Sequence, residues 1–236
     1  MLNVLSIDWD YFVDADADFR LTHFPDIPNE NYPSSLQDVI WVSRYANDTA
    51  LEKVGVDPAV RKVVQCLDKI SYIYVADSHK YAYVFVVQQL IQRGEGQVNL
   101  LNVDFHHDCR KDNDALDCGN WLSMLMKEYK GKYAWVGKKD SYLAGKPKKL
   151  AFRDRLDLSM LSRTEWDMLF VCRSDMWSPP HLDKEFTDVF RPLIDGKDGE
   201  IEHGIWDGRY GRMQKGIVEM RSVIEGIDGK VRGTGK

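Results

Sequence analysis

The chain has 236 residues, of which 44% are hydrophobic and 29% charged, enough apolar material for one large domain or two small ones. Its 32 basic and 37 acidic residues give a formal net charge of −5, so no basic excess favours nucleic-acid binding. No apolar run is long enough to predict a transmembrane helix, so no membrane partner is expected. The N-terminus lacks the basic segment of a signal peptide. The four cysteines have no CxxC spacing, which favours reduced thiols in a cytoplasmic protein.

The first predicted element is a strand that starts at Asn3 and ends in two alternating carboxylates, Asp8 and Asp10. Strand side chains alternate between faces, so both carboxylates would share one face. Open α/β sheets bind their ligands at this carboxyl edge. The following segment, 14–33, is predicted to be a long acidic surface loop, because it lacks the glycine and distal glutamate of an EF-hand calcium loop.

The remaining elements alternate between helix and strand. In chain order they are a helix from Asp57 and Pro58, a strand over 70–75, a helix over 80–93 ended by Gly94, a strand over 98–103, a helix over 122–130, strands over 133–136 and 166–172, and helices over 182–190 and 213–224. This alternation predicts a single three-layer α/β domain, residues 1–236, with a mainly parallel sheet. Residues 226–236 are predicted to form a mobile tail. The basic stretch 138–155 is interpreted as a solvated face, with binding of an acidic polypeptide as the alternative.

The central motif follows the strand over 98–103. Asp104, His106 and Asp108 recur at every second position, so an extended backbone would place all three on one face. Two carboxylates and an imidazole together are natural ligands for a divalent metal. The alternative is a solvated strand end, since short metal motifs also arise by chance.

Three segments together supply six candidate metal ligands at predicted strand ends: Asp8, Asp10, His79, Asp104, His106 and Asp108. Four converging carboxylates would repel one another and raise each other's pKa. Two divalent cations would balance their charge, which favours a two-metal site. Histidine with carboxylate ligands suits Mn(II) best, with Fe(II), Co(II) or Zn(II) as alternatives.

These motifs resemble those of the ureohydrolases, the arginase and agmatinase family with the arginase/deacetylase fold. The segment from Asp104 to Asp108 is similar to the family's Asp-Ala-His-x-Asp motif, and the Asp-Ser-His that ends in His79 to its Gly-Asp-His-Ser motif. Asp8 and Asp10 match its Ser-x-Asp-x-Asp motif, which comes last in arginases and first here. This permuted order resembles bacterial peptide arginases, which convert arginine in ribosomally made precursor peptides to ornithine. The resemblance covers residues 1–125 by motif.

The resemblance implies manganese-dependent hydrolysis of peptidyl arginine to ornithine and urea, with an arginine-containing precursor peptide as partner. Two Mn(II) ions would be bridged by Asp8 and Asp104. The ligands that complete each ion separately would be His79 with Asp108, and Asp10 with His106.

The chain also departs from the family pattern. Asn120, in a Cys-Gly-Asn segment similar to the arginase Ser-Gly-Asn, would contact the substrate. The arginase histidine two residues later is Leu122 here, so the proton donor to the leaving amine would be His107 or His181. No motif supplies the carboxylate that grips the guanidinium, and Asp175 is the candidate.

Three other functions stay open at this point. A ureohydrolase acting on free arginine or agmatine would share every metal ligand. A deacetylase of the same fold would use one zinc ion and fewer ligands. A binding protein without activity is the third, because of Leu122. The acidic segment 14–33 would attract a basic peptide, and the sequence leaves a homo-oligomer open.

Overall fold

The computed structural model of the protein describes residues 1–26, 29–67, 69–70, 72–111, 114–195, 198–201 and 208–233. The strands in these ranges are β1 (Leu2–Asp8), β2 (Tyr72–Ala76), β3 (Gln97–Val103), β4 (Lys130–Val136), β5 (Ala151–Arg153), β6 (Met168–Cys172) and β7 (Asp198–Ile201). The α-helices are α1 (Ala17–His23), α2 (Ser34–Asn47), α3 (Ala59–Gln65), α4 (Lys80–Arg93), α5 (Trp121–Glu128), α6 (Leu158–Arg163), α7 (Asp183–Ile194) and α8 (Arg209–Gly233). None of the described helices is long and apolar enough to cross a membrane.

The strands form one sheet in the order β5-β4-β3-β1-β6-β2-β7, and every strand pair in it is parallel. β1 lies near the centre, between β3 and β6. All carboxyl ends therefore meet at one edge, where a doubly wound sheet places its ligand site.

Helices cover both faces of the sheet. Leu5 and Ile7 of β1 join an apolar cluster with α2, α3, α6, α7 and α8, whereas Leu2 and Val4 face the cluster formed with α4 and α5. Strands buried on both sides explain the continuous apolar runs in the sequence. The predicted three-layer α/β architecture is confirmed, and it is consistent with an arginase-like fold.

One local prediction is wrong. The acidic segment 14–33 contains helix α1, and the Asp16 carboxylate caps it by accepting the Phe19 N–H at 2.8 Å. An aspartate interpreted as loop polarity is thus a helix start signal. Residues 27–28 of the segment lie outside the described ranges.

The predicted C-terminal end agrees with the structure for α4 but not for α8. Gly94 ends α4 as predicted, and it adopts the left-handed conformation with φ +65° that glycine favours at a helix end. Helix α8 continues through residues 226–233, where the sequence predicted a tail. Residues 234–236 lie outside the described ranges, and the mobility of the tail stays a prediction.

The close contact between β3 and β4 predicts that one added methyl group lowers the stability of the fold. A Cβ on Gly131 would lie 1.6 Å from the Val98 carbonyl oxygen, so Gly131→Ala must displace backbone. We expect a loss of about 1–3 kcal/mol in the free energy of unfolding, measured by denaturant titration. Gly96→Ala is the control, because its Cβ would meet nothing within 4 Å. Equal stability of the two variants would contradict this packing.

Candidate metal centre

The carboxyl ends of β1, β2 and β3 bring the six predicted ligands together. Five of them are at most 5% exposed, and the His106 side chain is 26% exposed. The six side chains form two groups that share Asp104.

The first group surrounds His79 Nδ1. This atom lies 3.1 Å from Asp8 Oδ2, 3.2 Å from Asp104 Oδ2 and 3.1 Å from Asp108 Oδ2. A single N–H cannot donate well to three oxygens. One imidazole nitrogen and three carboxylate oxygens this close together are the kind of donor set that a divalent metal ion takes.

The second group contains His106, Asp10 and Asp104. His106 Nδ1 lies 3.0 Å from Asp10 Oδ2 and 3.8 Å from Asp104 Oδ1. Asp10 Oδ2 is buried, lies 3.7 Å from the Arg20 guanidinium and receives no well-aligned hydrogen bond from any described residue, so it keeps a lone pair for a metal ion. Asp104 turns Oδ2 towards His79 and Oδ1 towards His106, so it is the carboxylate that the two groups share.

Turns, and not extended strands, produce this convergence. β1 ends at Asp8 and β3 at Val103, so the expectation of an extended backbone with period 2 is wrong. The Asp10 N–H donates to Asp8 Oδ1 at 2.9 Å and the His106 N–H to Asp104 Oδ1 at 2.7 Å. These bonds are typical of the Asx turns that aspartate favours.

Buried neighbours fix the orientation of the ligands. Ser6 Oγ lies 2.6 Å from His79 Nε2, and the Trp121 indole N–H donates to Asp108 Oδ2 at 2.6 Å. Such partners set the tautomer and direction of metal ligands. Asp108 itself adopts φ +48°, a strained conformation for a residue with a side chain.

The pKa values reflect the crowded charges. Burial raises the pKa of Asp104 to about 8, and Asp108 and Asp10 add to the rise. Burial, Asp10 and Asp104 raise the pKa of Asp8 to about 7. Burial lowers the pKa of His106, but the hydrogen bond and the negative charge of Asp10 have a larger combined effect and raise that pKa to about 9. A metal ion therefore competes with protons for these ligands.

A fifth carboxylate, Glu30, stands beside the two groups. It is 5% exposed. Its Oε2 accepts the His79 N–H at 3.2 Å and its Oε1 accepts the Ser174 hydroxyl at 3.0 Å. Burial and the nearby Asp8 raise the pKa of Glu30 to about 8. Ser174 is held at φ +61°, a second strained residue at this edge.

All these groups meet a cavity of about 390 Å³. Asp8, Glu30, His79, His106 and Asp108 reach its surface. The other walls come from the segments after β3, before α5 and after β6, and from the 137–150 loop, with the lining residues His107, Cys109, Arg110, Lys111, Cys118, Gly119, Tyr142, Ala144, Gly145, Ser174 and Trp177.

The two histidines predicted as proton donors lie in different places. His107 lines the cavity. Its Nδ1 accepts the Cys109 N–H at 3.0 Å, so Nε2 carries the proton and donates to the Ala144 carbonyl at 2.8 Å. His181 lies away from the cavity lining, with its ring nitrogens on the Tyr45 hydroxyl and the Val54 carbonyl.

The two residues predicted to bind substrate also lie outside the cavity lining. Asp175 forms a buried two-point ion pair with Arg173, at 2.5 and 2.6 Å. The Asn120 amide accepts the Asp117 N–H at 2.9 Å and donates to the Ala115 carbonyl at 2.7 Å. Both side chains stabilise loops around the site in this arrangement.

Sequence reasoning missed four neighbours of the site. Glu30 and Arg20 come from the segment interpreted as a loop, and the Arg20 guanidinium donates to the Asp10 carbonyl at 2.6 Å. Cys172 ends β6, and its sulfur joins a group with Asp8 and His79. The aspartates were selected because they follow predicted strands, and Cys172 stands at the end of such a strand too. Trp121 gave no signal beyond an apolar helix.

Comparisons with protein-family models, with curated proteins and with solved structures found no match. The class of site is therefore defined by its geometry. It is a candidate metal centre of buried histidine and aspartate clusters at the carboxyl edge of a parallel sheet, consistent with a metal-binding α/β hydrolase fold.

This geometry predicts that divalent metal stabilises the folded protein. A ligand that binds only the native state raises its stability with concentration, so Mn(II) should raise the melting temperature measured by calorimetry. Asp104→Asn, which removes the shared carboxylate, should lose most of this increase. Asp154→Asn, at an exposed position, is the control. Equal Mn(II) responses of the two variants would contradict the assignment.

The Trp121 hydrogen bond predicts an effect on metal affinity. Trp121→Phe keeps an aromatic ring beside His79 but removes the donor to Asp108, and we expect affinity to fall about 10–100-fold in metal-competition titrations. Trp166→Phe is the control, because the Trp166 indole donates to the Leu161 carbonyl. An unchanged affinity in Trp121→Phe would show that the indole does not orient the ligand.

Proposed function

We propose that the protein hydrolyses the guanidinium group of peptidyl arginine, producing ornithine and urea, with two Mn(II) ions as cofactors. His79, Asp8 and Asp108 would hold one ion, Asp10 and His106 the other, and Asp104 both. The resemblance made Asp8 a second bridge; we assign it to the first ion because its Oδ2 faces His79 and its Oδ1 accepts the Asp10 N–H. When bound, the ions would supply Lewis acidity and lower the pKa of a water molecule, which is the chemistry this hydrolysis needs.

The observation that carries the proposal is the fifth carboxylate. Two divalent ions would balance the four ligand aspartates, and the buried Arg20 guanidinium lies 3.7 Å from Asp10 Oδ2. Glu30 itself has no ion-pair partner among the described residues, because its oxygens accept from a backbone N–H and a hydroxyl. A buried carboxylate that reaches a cavity needs a cationic partner. A guanidinium presents parallel N–H donors that match a carboxylate, so Glu30 would orient the substrate and replaces Asp175 as our candidate for this role.

The reaction balances without another reactant. Water adds to the guanidinium carbon, the bond from that carbon to the side-chain nitrogen breaks, and the amine leaves with a proton. The products are an ornithine ammonium group and neutral urea. His107 is preferred to His181 as the proposed proton donor, because His107 lines the cavity. Its Nε2–H would have to leave the Ala144 carbonyl to reach the leaving amine.

The rival functions differ in what they require of the site. A deacetylase acts on a neutral amide, so it has no use for Glu30 or for a second group of ligands. A ureohydrolase for free guanidino compounds would need the same residues. The peptide substrate is favoured by the motif resemblance and by a cavity whose mouth carries exposed residues, among them Tyr142 at 53% exposure.

The direct test is product analysis. Manganese-loaded protein would be incubated with a blocked peptide containing one internal arginine, with free arginine and with agmatine. We expect urea release from the peptide and ornithine by mass spectrometry. Urea from the free compounds alone would overturn the peptide substrate, and no urea from any guanidine would overturn the proposed hydrolysis.

The role of Glu30 predicts a selective loss of activity. Glu30→Gln keeps the size of the side chain but removes the charge that pairs with the guanidinium, so kcat/KM should fall about 10²–10³-fold. Metal content should stay unchanged. Glu165→Gln, at an exposed position, should retain full activity. A Glu30→Gln variant with normal kcat/KM would remove Glu30 from substrate binding.

A further inference from the structure

One residue at the cavity combines a strained backbone with a contact to Glu30. Ser174 follows β6 and has φ +61°, in the left-handed region that residues with a side chain rarely adopt. It is buried and belongs to the cavity lining. Its hydroxyl donates to Glu30 Oε1 at 3.0 Å. Strain of this kind persists only where the surrounding structure holds it, and it often accompanies a functional contact.

Backbone hydrogen bonds fix the loop on both sides of this residue. The Arg173 N–H donates to the Ala76 carbonyl at 2.8 Å, and the Asp175 N–H donates to the Asp77 carbonyl at 3.2 Å. Both acceptors lie at the end of β2 or directly after it. The two neighbours of Ser174 are therefore tied to the sheet, and the strained residue cannot relax without loss of one of these hydrogen bonds.

Buried ion pairs hold the same two neighbours. Arg173 pairs with Asp175 through two hydrogen bonds of 2.5 and 2.6 Å. Asp175 Oδ2 also lies 3.5 Å from Arg209 Nη1, and Arg209 Nε donates to Asp38 Oδ1 at 2.6 Å. Arg209 starts α8 and Asp38 lies in α2, so two helices connect to the loop through charged side chains. Breaking one partner of a buried ion pair is costly, so this network can offset the backbone strain.

The Ser174 hydroxyl helps to set the direction in which the Glu30 carboxylate faces. Glu30 Oε1 accepts the Ser174 hydroxyl, and Oε2 accepts the His79 N–H at 3.2 Å. Two donors from different loops fix the plane of the carboxylate. Each oxygen has a second lone pair for another donor, and a two-point pair with a guanidinium depends on the orientation of that plane.

We propose that Ser174 is a positioning residue, whose hydroxyl orients Glu30 for the guanidinium of the substrate. The inference rests on the proposed role of Glu30 in guanidinium hydrolysis. Ser174 itself does not contact the reacting atoms. Without the hydroxyl the carboxylate can rotate, so the guanidinium must order it on binding. Because this contact serves the bound substrate and the transition state alike, its loss should raise KM and leave kcat nearly unchanged.

Two substitutions separate the hydroxyl from the backbone. Ser174→Gly removes the hydroxyl but suits a φ of +61°, whereas Ser174→Ala removes the hydroxyl and keeps the strain. Both variants should raise KM for the arginyl peptide about tenfold, with kcat within about threefold of the original protein. The melting temperature should be higher in Ser174→Gly than in Ser174→Ala. A normal KM in Ser174→Gly, or a rise in Ser174→Gly alone, would overturn the inference, because KM would then follow the backbone.

A double variant tests whether Ser174 acts through Glu30. Ser174→Gly combined with Glu30→Gln should have a kcat/KM within about twofold of Glu30→Gln alone, because residues that act as one unit are not additive. Losses that multiply would contradict the inference. Ser178→Ala is the control, because the Ser178 hydroxyl is buried in the same loop and has no hydrogen-bond partner among the described residues. Its KM should equal that of the original protein.

The outcomes separate this inference from the proposed function. Hydrolysis with a normal KM in Ser174→Gly would overturn the role of Ser174 and leave guanidinium hydrolysis standing. If no guanidine is hydrolysed, calorimetric binding of agmatine to manganese-loaded protein decides the inference alone. A Kd about tenfold higher in Ser174→Gly and in Glu30→Gln, but unchanged in Ser178→Ala, would support the orienting role. Equal Kd values in Ser174→Gly and the original protein, or no agmatine binding at all, would overturn it.

Discussion

The structure depends on the burial of like charges at one edge of its sheet. Four aspartates and Glu30 lie within a few ångströms of two histidines, almost wholly removed from water. Such a group is stable only with cations among it. In the metal-free protein protons relieve the repulsion, because the pKa values of both imidazoles and of three of the carboxyl groups are raised, and the Arg20 guanidinium lies beside Asp10. Divalent ions are the better match, because one proton cannot serve three oxygens.

Strands and turns both contribute to the position of the charged side chains. Parallel strands bring distant segments to one edge, and short turns then aim each side chain. The strained backbone at Asp108 and Ser174 shows that this aiming costs free energy, which tertiary packing must offset. Hydrogen bonds from Trp121 and Ser6 keep the ligands in place. A site held in this way is preorganised before any substrate enters.

Sequence patterns predicted the parts of this arrangement that depend on strands. Apolar runs followed by acidic residues predicted the sheet, the edge that carries the ligands and the six ligands themselves. Such patterns do not predict side-chain contacts that depend on tertiary packing. Glu30 lies in an acidic segment with no periodicity, yet it reaches the site from between α1 and α2. Asp175 and His181 have the right residue types for guanidinium binding and proton transfer. In the fold, however, Asp175 pairs with Arg173 and His181 contacts Tyr45. Polar residue type alone does not show which partner a side chain meets.

The central claim is that the buried clusters form one centre for two metal ions. Elemental analysis of protein purified from manganese-supplemented cells, or reconstituted with Mn(II) and freed of excess metal, tests it most directly. We expect about two manganese ions per chain, one for each of the two groups that share Asp104. A ratio of one would contradict the shared centre. No bound metal after reconstitution would contradict the metal site itself and, with it, the proposed hydrolysis.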